Sequence, residues 1–166
     1  MMKFDIFTVK QKDKLIEWNK YLLIQKEEEQ EVKEIYDEAK NFIEFYDWCG
    51  EITEVYVGML YLGIVGVFLF KIIPTRKDVD EWVWVIVGDL PSAYITTEDC
   101  PNPATALDGY IGAMLEWVEA AGKGDSVANL IPVNVPATKE NSEMLKTRLS
   151  FLDDNILINF QHDLVT

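Results

Sequence analysis

Residues 55–70 contain no charged side chain, yet they carry Gly58, Gly63 and Gly66 among β-branched and aromatic residues. An uncharged run of 16 residues is short of the roughly 20 that a helix needs to cross a bilayer. Its glycines and its Val, Ile, Tyr and Phe content disfavour a helix and favour strands. The run therefore predicts a β-hairpin that turns near Leu62 and Gly63, with strands about Thr53 to Tyr61 and Ile64 to Ile73. A sheet containing these strands has to be covered, because little in them is polar enough to face water.

The flanking segments supply the cover. From Thr8 to about Trp48 the pattern is helical, with Thr8 and Gln11 at capping-box spacing. Leu15, Trp18 and Leu22 make one apolar stripe, and Val32, Ile35, Ala39, Phe42 and Tyr46 make another. The polar run Gln25 to Glu31 separates them, and steps of three and four carry the register across it. One long helix, ended by Gly50, is the expectation. After the hairpin, Glu81 to Val87 reads as a third strand and Ala93 to Thr97 as a fourth, and the short connections imply antiparallel pairing. Asn102 and Pro103 start a helix to about Ala121. Thr138 caps another, with Leu145, Leu149, Leu152 and Ile156 on one face. Helices, then strands, then helices predict one α+β domain over residues 1–166: an N-terminal helix or helix pair, a mainly antiparallel meander of three or four strands, and two C-terminal helices packed on the sheet.

Charge narrows the function classes. The chain has 29 acidic against 15 basic side chains, a formal net charge of −14. Nucleic acid binding relies on Lys and Arg to displace condensed counterions, so no nucleic-acid partner is expected, whereas a basic protein partner is physically allowed, beside the plainer reading that the excess acid maintains solubility. Cys49 and Cys100 are the only cysteines, and the first residues lack the charged-then-apolar layout of a secretory leader, so reduced thiols in the cytoplasm are expected. No membrane association is expected either.

Chemistry-bearing motifs are missing. There is no phosphate-cradling Gly-rich loop, no GxGxxG, no GxSxG and no pair of cysteines at metal spacing, so no cofactor is expected. His162, the single histidine, reads as a surface residue. Asp89 stands at a strand end, with Asp99 and Asp108 near it in sequence. These three are the candidates for a carboxylate-based metal-binding or hydrolytic site, against the plainer roles of turn and helix-terminus partners. Trp82 and Trp84, two apart on a strand, share a face with Ile86 and form either core or a binding ridge.

The segment Asp80-Glu81-Trp82-Val83-Trp84-Val85-Ile86-Val87-Gly88-Asp89-Leu90-Pro91-Ser92-Ala93-Tyr94 resembles a group of bacterial hypothetical proteins of unknown function. The likeness continues through Ala104 to Tyr110 and Pro136 to Asn141, about the C-terminal half of the chain. It implies a bacterial source and a stand-alone small domain, and brings no activity or site residue with it. Taken together, the expectation is a non-enzymatic interaction module, such as an immunity-type neutraliser of a basic partner. A homo-oligomer that uses the apolar hairpin is the further expectation to test.

Overall fold

A computed structural model describes residues 15–164. The hairpin is present: β2 (Glu51–Tyr61) and β3 (Val65–Ile73) pair antiparallel around a turn at 62–64. Two further strands, β4 (Trp82–Gly88) and β5 (Ala93–Thr96), extend the meander. A short β1 (Ile16–Glu17) lies against Val57 and Tyr56 and makes the sheet five-stranded, one strand more than the upper expectation, in the sequential order β1-β2-β3-β4-β5.

Both faces of this sheet are covered, which is why β3 and β4 read as almost unbroken apolar runs. On one face Phe68, Phe70, Ile72, Val83, Val85 and Val87 pack beneath α1 (Trp18–Ile24) and α2 (Glu29–Glu44). On the other, Val65, Val67, Leu69, Trp82, Trp84 and Ile86 meet α3 (Pro103–Lys123), α4 (Lys139–Asn155) and the 3₁₀ segment Leu157–Asp163. The strict alternation between the two cores follows the period of two of a strand. Along β3 the hairpin's apolar side chains are therefore spent inside the subunit, with Val65, Val67, Phe68 and Phe70 fully buried, while Leu60, Tyr61, Leu62 and Ile64 around the turn are partly buried.

The N-terminal segment departs from the single-helix expectation. The chain forms a strand at Ile16–Glu17, then α1, and breaks at 25–28 before α2 begins. Glu17 caps α1, its carboxylate accepting from the Asn19 and Lys20 amides at 3.1 and 3.3 Å. The cause of the break is tertiary. Trp18 stacks on Tyr36 with ring centroids 4.0 Å apart, a contact between α1 and α2 that a continuous helix cannot make. The polar run between them has no side chain to bury, so bending there costs little. Helix α2 ends at Glu44, ahead of Gly50, and its buried stripe is Val32, Ile35, Ala39 and Ile43. Thr8 and Gln11 lie outside the described residues.

The later helices begin where the sequence places them. At α3 the Asn102 side chain accepts from the Thr105 amide at 2.9 Å, Thr105 Oγ1 accepts from the Asn102 amide at 3.0 Å, and Pro103 occupies the first turn. Gly58 on β2 leaves room for this start, since a Cβ there would lie 2.8 Å from the Pro103 ring. The register of β2 shifts at this glycine, so that Val57 and Met59 serve opposite cores. Helix α4 is capped by Thr138, whose hydroxyl accepts from the Asn141 amide at 3.1 Å. It packs along α3 through Leu145, Leu149 and Leu152. No helix among the described residues is long and apolar enough to cross a membrane.

Candidate functional site: a groove at the open edge of β5

The sequence-predicted candidates do not converge. Asp89 follows β4, whereas Asp99 lies beyond the other end of β5 with φ of 64°, and Asp108 is exposed on α3. Among the described residues no group of three or more His, Cys, Asp and Glu side chains is placed to hold a metal ion. Asp99 and Asp108 instead flank Cys100. Burial first, and then these two carboxylates, push its thiol above the ordinary range. Burial, followed by Glu44, does the same to Cys49. Neither thiol is poised as a nucleophile, which requires a lowered pKa. His162 is exposed beside Asp163.

Trp82 and Trp84, weighed as a binding ridge, are core: 6% and 0% exposed. The Trp84 indole N–H donates to the Cys100 carbonyl at 3.0 Å, and the Lys71 ammonium lies 5.5 Å from the Trp82 ring centre. Asp89 is on the surface, its Oδ2 3.4 Å from Arg148 Nε, with the Asp89 side chain largely and the Arg148 side chain partly solvated. An exposed pair at that distance contributes little. Asp89→Asn is expected to change thermal stability by no more than about 0.5 kcal/mol, as calorimetric melting would show. A loss of several kcal/mol would mean that the pair holds α4 to the β4–β5 connection.

What the structure brings together around Asp89 is a groove of about 1090 Å³. One wall is the end of α2 and the turn after it, Phe42, Phe45 and Tyr46. The floor is 89–94, which includes the start of β5. The far wall is the irregular stretch 129–135 with Asn141, Met144, Leu145 and Arg148 of α4. The Tyr110 hydroxyl, buried in α3, donates to the Pro91 carbonyl at 2.5 Å and pins the floor. The rings of the first wall pack on one another: Tyr46 lies 5.1 Å from Tyr94 and 5.2 Å from Trp48, with Phe42 and Phe45 at 5.6 and 5.7 Å from Tyr46. Burial, then the neighbouring Tyr94, raises the Tyr46 phenol, so it stays neutral. Phe45 is 84% exposed at the rim, and Val135 and Met144 face solvent opposite it.

Among the described residues, the floor also offers unpaired main chain. Ile72 N–H donates to Glu81 O at 2.7 Å and Asp89 N–H to Ile64 O at 3.1 Å. Counting by twos along β4, the main-chain groups of Val83, Val85 and Val87 aim at β3, and those of Trp84 and Ile86 aim at β5. Their partners Ile95 and Ala93 are used in that ladder. The N–H and C=O of Tyr94, between them, point away from the sheet, and among the described residues β5 has no neighbour on that side.

Sequence reasoning passed over this groove because its walls come from segments far apart in the chain. One local signal was available: Phe45 falls off the apolar stripe of α2, and a large aromatic side chain off the buried face asks for a second surface. Set against protein-family models, curated proteins and solved structures, the chain matches none of them.

Proposed function

We propose that this protein is a non-enzymatic interaction module that captures a basic polypeptide partner, in the manner of an immunity-type neutraliser. The observation that carries the reading is the placement of the charge. The outer face of α2 exposes Glu29, Glu31, Glu34, Asp37, Glu38 and Glu44 against Lys33 and Lys40, on a chain whose net charge is −14. Such a face speeds encounter with a cation and repels polyanions. The adjoining groove, with its aromatic wall, supplies the apolar contact area that charge alone does not give.

The test is capture from a native bacterial lysate at low salt, identification of the bound protein, and titration of that protein in purified form across a salt series. A stoichiometric basic partner whose association slows as salt rises is expected. The combined variant Glu31→Gln, Glu34→Gln, Asp37→Asn, all at exposed positions, should slow association at low salt by about tenfold and leave dissociation nearly unchanged. Affinity independent of ionic strength, or recovery of acidic partners alone, would sink the reading.

A further inference from the structure

The geometry points to the open edge of β5 as the place where an extended, apolar segment of the basic partner docks, adding a strand to the sheet. This deepens the partner-binding reading above and rests on it. Three observations combine. The Tyr94 N–H and C=O face the groove with no strand beside them among the described residues, and pairing an incoming main chain satisfies both. The groove runs along this edge, with apolar walls from both layers. A strand laid about 4.8 Å from β5 would turn alternate side chains toward Phe42 and Phe45 on one side and toward Ile131 and Met144 on the other. Its volume, about 1090 Å³, is at the upper end of small-ligand pockets, which run to roughly 1,000 Å³.

Charge selects the occupant. Within the groove Arg148 only balances Asp89, and the remaining polar lining is uncharged: the amides of Asn129, Asn134 and Asn141, the Ser92 hydroxyl and the phenols of Tyr46 and Tyr94. The interior thus accepts apolar residues, while the acidic face of α2 beside it favours Lys or Arg at the ends of the segment. A second copy of the chain would also present a free β5, but it brings another −14 to the contact.

The experiment uses the whole protein and synthetic peptides. The first has a core of roughly six Val, Ile and Leu residues, the length of an ordinary strand, between paired lysines. The second is the same peptide N-methylated at alternate core amides, and the third replaces its lysines with glutamates. The lysine peptide is expected to bind and to slow hydrogen exchange at the Tyr94 amide. N-methylation should weaken it at least about tenfold, the worth of roughly one lost hydrogen bond to the edge, and the glutamate peptide should bind more weakly still. Tyr94→Pro removes the outward N–H at an edge position where proline is tolerated, and should weaken binding about tenfold more than Tyr94→Ala, which keeps it. Phe45→Glu, at a position 84% exposed, should weaken binding with the fold intact.

Equal affinity of the N-methylated peptide, equal affinity of the Tyr94→Pro and Tyr94→Ala proteins, or exchange protection confined to another segment would overturn the edge-docking proposal. So would a dimer in light scattering that Tyr94→Pro dissolves, since the edge would then belong to a second copy. If the captured partner still binds Tyr94→Pro with unchanged, salt-dependent affinity, docking at β5 fails while the interaction reading stands. If no basic partner binds at all, both fail.

Discussion

Trp84→Ala is expected to lower the stability of the fold by about 4 kcal/mol, the largest effect of any single truncation in the sheet. Trp84 is fully buried and sits in β4 between Leu69 of β3 and Ile95 of β5, against the helices of the second layer. Removing the indole opens a cavity that rigid neighbouring strands cannot close. It also strands the Cys100 carbonyl, which now accepts from the indole at 3.0 Å, at a further cost of about 1 kcal/mol. Against a typical total of roughly 5–15 kcal/mol, such a loss leaves the variant marginal. Urea titration would show a lower midpoint at an unchanged slope. Trp84→Phe keeps most of the volume and loses the donor, so it should cost roughly 1–2 kcal/mol. A loss under about 1 kcal/mol for the alanine variant would mean that this part of the core relaxes freely, contrary to the close packing of protein interiors.

Gly88→Ala is expected to be the second most damaging change, at about 3 kcal/mol. Gly88 has φ of 141°, and a Cβ there would lie 2.3 Å from the Ile64 carbonyl oxygen and 2.9 Å from Val65 Cα. Both obstacles are backbone, held by the Asp89 to Ile64 hydrogen bond and by the Val65–Gly88 pairing, so neither can swing aside. Gly63→Ala provides the control. Its φ of 77° is also unfavourable to a side chain, but nothing lies within 4 Å of the added atom, so about 1 kcal/mol of backbone strain is all that is expected. Matching losses for the two would show that conformational strain, rather than the clash at Ile64, governs Gly88. The change also reaches function. Gly88 sets the path of the connection that forms the groove floor, so the surviving folded fraction of Gly88→Ala should bind the lysine peptide more weakly.

The elements with local signals were legible. The hairpin, β4, β5 and the starts of α3 and α4 stand within a residue or two of expectation, because each is marked by neighbours in sequence: glycines at the turn, alternation along a strand, Asn102 with Pro103, and Thr138. The site was less legible. Asp89 does line the groove, yet Asp99 and Asp108, close to it in sequence, sit elsewhere, since β5 intervenes and carries the chain to the other end of the sheet. Trp82 and Trp84 were read correctly as sharing a face, but whether that face was covered depended on α3, which begins well after them in the chain.

By itself, then, the sequence determined which stretches become strand or helix, that the pairing is antiparallel, and that the surface is strongly acidic, because these follow from residue type and period over a few neighbours. Tertiary structure decided the rest. It bent the N-terminal segment so that Trp18 could stack on Tyr36, and among the described residues it left β5 as an open edge. It also drew Phe42, Phe45, Pro91, Ile131 and Met144 around one groove. Each of those outcomes is a balance of contacts between residues distant in the chain, and no local propensity encodes such a balance.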